Sequence, residues 1–121
     1  LMHSGQDCPT VGATAPMEDV VSVISNAGYG MVCVITGSDE LVGIITDGDL
    51  RRFIQTRPNL LDLTASQCMT SNPTTISRQE LATAALHLME SRKISSLPVA
   101  SPDGILEGLL HLQDLWTTQM F

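Results

Sequence analysis

Leu41-Val42-Gly43-Ile44-Ile45-Thr46-Asp47-Gly48-Asp49-Leu50 and, 65 residues on, Leu106-Glu107-Gly108-Leu109-Leu110-His111-Leu112-Gln113-Asp114-Leu115 follow one pattern. Each is an apolar run broken by a glycine, then a polar residue, then Asp-Leu. Working outward, residues 10–50 align with 75–115 without a gap. Thr10/Thr75, Val34/Val99, Leu41/Leu106, Gly43/Gly108, Asp49/Asp114 and Leu50/Leu115 are identical. Val11/Ile76, Val21/Leu86, Ile24/Met89, Ile44/Leu109 and Ile45/Leu110 match by type. Self-similarity at a fixed period is the mark of a repeated structural unit.

Both copies read as strand, helix, strand, turn, strand, helix. Met17, Val20, Val21 and Ile24 have the spacing of one helical face, with Pro16 in the first turn and Gly28 as the stop. Met31 to Thr36 and Leu41 to Thr46 are β-rich runs joined by Gly37-Ser38-Asp39-Glu40, a hairpin. A helix over 47–55 follows, which Thr46 or Asp47 can cap. In the second copy, Ser77-Arg78-Gln79-Glu80 fits a capping box for a helix with Leu81, Ala82, Ala85, Leu88 and Met89 on its apolar side. Leu97 to Ala100 and Ile105 to Leu110 are strands around Ser101-Pro102-Asp103-Gly104, and 112–120 is the closing helix. Between the copies, 59–71 reads as a connector with a short helix, because Thr64-Ala65-Ser66-Gln67 is a further capping box.

The 121 residues therefore divide into 1–58, a connector over 59–68, and 69–121. A unit of about 55 residues buries too little surface to be comfortably stable alone. One intertwined α/β (α+β) module, two β-α-β-β-α repeats with pseudo-twofold symmetry around a central cleft, is the expected architecture.

Composition excludes several classes of function. Thirteen Asp+Glu against six Lys+Arg give a net charge of −7, the wrong sign for a phosphate backbone, and 3% aromatics leave little to stack on bases. No apolar run approaches membrane-spanning length, and no signal peptide is expected. Cys8, Cys33 and Cys68 fit neither a disulfide framework nor a zinc pattern, which suits a reducing cytoplasm. His3, His87 and His111 are too scattered for a metal site. No catalytic constellation emerges, and neither cofactor nor metal is expected.

Gly43-Ile44-Ile45-Thr46-Asp47-Gly48-Asp49, Met69-Thr70-Ser71-Asn72-Pro73 and Leu97-Pro98-Val99 resemble the motifs of CBS domains, in tandem over almost the whole chain. Met2-His3-Ser4-Gly5, Pro9, Thr46-Asp47-Gly48-Asp49-Leu50-Arg51-Arg52 and Leu110-His111-Leu112-Gln113-Asp114-Leu115 are similar to the C-terminal CBS pair of bacterial D-arabinose 5-phosphate isomerases. The resemblance implies a regulatory pair that dimerises or assembles further. Its attached sugar-isomerase (SIS) domain, absent here, would serve synthesis of Kdo for lipopolysaccharide. It also implies an effector, either an adenosine nucleotide or a nucleotide sugar such as CMP-Kdo.

The candidate effector residues are Thr46, Asp47, Asp49, Arg51, Arg52, His111 and Asp114. By the resemblance, Thr46 donates to a phosphate and Asp49 grips the ribose hydroxyls; a bare strand–helix junction explains the same two residues as caps. Adjacent helical positions point about 100° apart, so at most one of Arg51 and Arg52 reaches a shared anion. His111 replaces the Thr46 hydroxyl in the second copy, either as a ligand contact whose binding would depend on pH or as an exposed residue at a helix start, and the half-sites are expected to be unequal.

Overall fold

A computed structural model describes residues 8–77, 79, 82–92 and 94–111. The fold is mixed α+β, and by contacts the chain forms two compact units that part at Pro73/Thr74.

The first unit, Pro9–Pro73, contains β1 (Thr10–Gly12), α1 (Met17–Ala27), β2 (Met31–Ile35), β3 (Leu41–Thr46), α2 (Asp47–Thr56), a 3-10 turn (Leu60–Asp62), α3 (Ala65–Cys68) and β4 (Thr70–Ser71). The sheet order is β1-β2-β3-β4, with β1 and β2 parallel and the other pairs antiparallel. Strand β2 lies inside the sheet, and Met31 to Val34 are all buried, so it reads as an unbroken apolar run. Pro16 stands at the cap of α1, one residue earlier than its composition suggests, with an extended ψ of 150°. Glu18 and Asp19 complement the helix dipole, and Gly28 ends the helix at φ 79°, a conformation that favours glycine. Met17, Val20 and Ile24 face a core with Val32, Val34, Ile45 and Leu50.

The segment between the copies is held by backbone bonds to the first unit. Leu63 O accepts from Met17 N at 2.9 Å, while Ala65 N donates to Ala15 O at 2.8 Å and Ser66 N to Ala13 O at 2.9 Å. Thr64 and Gln67 form the expected capping box, and β4 then pairs with the far side of β3. At that seam Met69 lies over Gly43. A Cβ built on Gly43 would stand 2.5 Å from Met69 Sδ, 2.7 Å from Cγ and 2.9 Å from Cβ.

In the second unit, α4 spans Ala82–Arg92, β5 Ser96–Ala100 and β6 Leu106–His111, and Ile76 pairs in parallel with Val99. Helix α4 lies 65 positions after α1 at both ends. The β2–β3 partners Met31↔Thr46, Val34↔Gly43 and Ile35↔Leu41 recur as Ser96↔His111, Val99↔Gly108 and Ala100↔Leu106. Val11↔Val34 recurs as Ile76↔Val99, and the irregularity at Val34/Ile35 recurs at Val99/Ala100. Positive φ returns at the same place in each hairpin, 64° at Asp39 and 85° at Gly104. Ile76, Ala85, Met89, Leu97 and Val99 make this unit's core. The expected closing helix at 112–120, Asp114, and the capping-box residues Arg78 and Glu80 lie outside the described residues.

Candidate functional site

Strand β3 ends where its last residue turns into a helix cap. Thr46 keeps extended dihedrals (φ −108°, ψ 164°), and α2 begins at Asp47. Thr46 Oγ1 accepts from Asp49 N at 3.1 Å, and Asp49 Oδ2 accepts from Thr46 N at 3.1 Å. This reciprocal pair satisfies two backbone donors that a helix start leaves over. Asp49 Oδ1 takes a third bond, from the Arg52 guanidinium one turn along. The Asp49 side chain is 10% exposed and that of Arg52 68%, so a nearly buried carboxylate is neutralised from solvent.

Capping is therefore what Thr46 and Asp49 do in this structure, and it leaves capacity for more. A carboxylate has about four acceptor sites, and Asp49 uses one on each oxygen. The Thr46 hydroxyl acts here as an acceptor, so its proton remains to donate. Thr46, Asp49 and Arg52 are brought together; Asp47 and Arg51 are exposed beside them. His111 ends β6 opposite Ser96, where Thr46 ends β3 opposite Met31, so the two occupy equivalent backbone positions.

Gly48 belongs to this site although the motif reading passed over it. A Cβ there would lie 3.8 Å from Thr46 Oγ1 and 3.9 Å from Arg52 Nη1, in ordinary contact with both, so the bare Gly48 face lies beside the hydroxyl and the guanidinium. The signal was present in the sequence, since glycine is a poor residue for the first turn of a helix.

The far end of α2 is tied differently. The Arg57 guanidinium sits 4.5 Å from the centre of the Phe53 ring and donates to Gln67 O at 3.4 Å. A groove of about 400 Å³ beside it, lined by Val21, Ile54, Pro58, Leu60 and Leu61 among others, includes none of the candidate effector residues. All three cysteines are buried. Among the described residues, no cluster of His, Cys, Asp and Glu could hold a metal, and no helix is long and apolar enough to cross a membrane.

The family model for the CBS domain matches residues 1–56 and again 65–115. The chain belongs to the CBS domain family, as a tandem pair. CBS domains are regulatory and non-catalytic. The pair is 36% identical over 115 residues to protein RP505 of Rickettsia prowazekii and equally to the arabinose 5-phosphate isomerase KdsD of Escherichia coli K12. Each match covers 95% of this chain and 35% of the relative, so the CBS pair spans about a third of the length of those proteins. Among solved structures, CBSX2 in complex with AMP superposes with a TM-score of 0.87 at 22% identity, covering 98% of this chain and 92% of the other. The CBS pair of MJ0100, with 5′-methylthioadenosine and S-adenosylmethionine, gives 0.82 at 18%, with the same coverage. These likenesses show the fold.

Proposed function

We propose that this CBS pair is the effector-sensing region of a D-arabinose 5-phosphate isomerase in the Kdo branch of lipopolysaccharide synthesis, and that it binds a nucleotide or nucleotide sugar. CMP-Kdo, the activated end product, is the specific candidate, because feedback acts most economically on an early step. The 36% identity to KdsD over nearly the whole chain supports the parent enzyme. The observation that carries effector binding is the Thr46–Asp49 turn. It sets a hydroxyl donor, a helix N-terminus and an acceptor carboxylate within one turn of each other, as a phosphate joined to a vicinal diol requires. AMP, the ligand of the CBSX2 complex, has both groups. In the parent protein an SIS domain would perform the isomerisation in the cytoplasm, within a homodimer or larger assembly, and the CBS pair would bias it through unequal affinity for two of its states.

Titration calorimetry of the 121-residue chain with CMP-Kdo, AMP, ATP and S-adenosylmethionine tests this reading. Saturable heat with at least one, and no isomerase turnover by the chain alone, is expected. Silence with all four supports the second reading, a scaffold that holds the isomerase subunits together; the exposed side chains of Ile54 and Leu61, 68% and 59% accessible, favour that role.

Gly48→Ala sharpens the test. Alanine raises helix propensity by up to about 1 kcal/mol, so the thermal midpoint should hold or rise. The new methyl meets Thr46 Oγ1 and Arg52 Nη1, and effector affinity should drop about tenfold, equivalent to about 1.4 kcal/mol. Undiminished affinity in this variant would remove the Gly48 face from the site.

A further inference from the structure

We infer that Arg52 is a resident competitor at the effector site: it holds Asp49 against ligand hydroxyls and is drawn off by a ligand phosphate. The site thereby selects compounds that carry a phosphate as well as a vicinal diol. The inference rests on the proposed effector role of the Thr46–Asp49 turn and adds the element that sets its selectivity.

The two oxygens of Asp49 are not equivalent. Oδ2 is committed to the backbone N–H of Thr46, and Oδ1 takes the Arg52 guanidinium. Arg52 is largely exposed while Asp49 is nearly buried, so the arginine enters from the solvent side. A diol arriving from solvent needs that same side of the carboxylate. Each Asp49 oxygen keeps an acceptor site, but the guanidinium stands on the side from which a diol would reach them and competes for it. An exposed pair of this kind is weak, worth a factor of up to about five in an equilibrium constant.

The displaced arginine has a second partner only if the ligand supplies one. Its Nη1 and the Thr46 hydroxyl both approach the bare face of Gly48, at 3.9 Å and 3.8 Å from the point where a Cβ would stand. A phosphate seated on that face is within reach of both. Its charge-assisted bonds to a guanidinium are stronger than the exposed pair they replace. A diol without phosphate strands the arginine; a phosphorylated diol re-engages it. Arg51, the other half of the doublet, lies at the adjacent helical position and has no such geometry to Asp49.

Calorimetry with two ligand pairs, AMP with adenosine and CMP with cytidine, reads this out on the wild-type chain, Arg52→Gln and Arg92→Gln. Arg92 is exposed at the end of α4 in the other unit, so its variant removes the same charge elsewhere. In Arg52→Gln the nucleosides should bind about two- to fivefold more tightly. The preference for nucleotide over nucleoside should fall about tenfold, the size of one charge-assisted bond. Arg92→Gln should keep the wild-type preference. Retained binding with an unchanged preference in Arg52→Gln overturns the role of Arg52 and leaves the effector site standing. An equal fall in Arg92→Gln overturns it too, by reducing the effect to net charge. Failure of all four ligands to bind either the wild type or Arg52→Gln overturns this inference; the effector-site reading falls with it only if CMP-Kdo, ATP and S-adenosylmethionine are silent as well.

Discussion

Asp49→Ala is expected to abolish effector binding and to lower the unfolding free energy by about 0.5–2 kcal/mol, the range for losing a helix cap. One side chain carries both effects because of its position. Its Oδ2 satisfies the Thr46 backbone donor, and its Oδ1 neutralises Arg52. Alanine leaves the Thr46 N–H without that partner at a half-buried position and removes the acceptor proposed for the ribose. Asp49→Asn separates the two losses, since an amide oxygen can still accept from Thr46 N but carries no charge to hold Arg52 or strengthen a diol contact. The asparagine variant should keep most of the stability and lose most of the affinity. Urea unfolding followed by circular dichroism, with calorimetry on the same samples, measures both. Equal stabilities for the wild type and the alanine variant would mean that the reciprocal cap contributes nothing.

Gly43→Ala is expected to cost about 1–3 kcal/mol, the usual range for overpacking a filled interior. Strand β3 pairs with β2 on one side and β4 on the other at this residue, Val34 and Ser71 being its partners. The strand cannot slide away from Met69. A methyl group at 43 would stand 2.5 to 2.9 Å from three Met69 atoms, including the Cβ, which cannot swing clear as the thioether can. Met69→Ala removes Sδ and Cγ but keeps Cβ. The cost of Gly43→Ala in that background should therefore shrink without vanishing, giving a coupling energy in the double-mutant cycle. Costs that simply add would show that the clash is relieved elsewhere.

Gly43 was legible as part of a repeated motif, but the contact it makes was not. As part of Gly-Ile-Ile-Thr it belongs to a ligand-side motif, yet in the structure its bareness serves the approach of Met69. Nothing local announces that contact, because β4 is two exposed residues, Thr70 and Ser71, with no alternating pattern to betray a strand. The repeat was more legible. A gapless offset of 65 recurs in the helix bounds and in the strand register, because one missing residue would turn the following side chains to the opposite face. Thr46 was readable as a cap from its place before a helix, and the reciprocal half from Asp49 needed only the three-residue spacing. That spacing also separates Arg52 from Asp49, so helical geometry already favoured Arg52 over Arg51. What spacing could not show is that the arginine turns back onto the carboxylate rather than out towards an anion.

The matching irregularities at Val34/Ile35 and Val99/Ala100 bear on how the two halves have drifted since they were one. Six letters survive among the compared positions, but the ladder survives rung for rung. An exchanged side chain is a local matter, while an added residue inverts the strand beyond it. Thr46 and His111 stand on corresponding rungs of that ladder. One backbone position therefore presents a hydroxyl in the first copy and an imidazole in the second, with no change in the ladder beneath them.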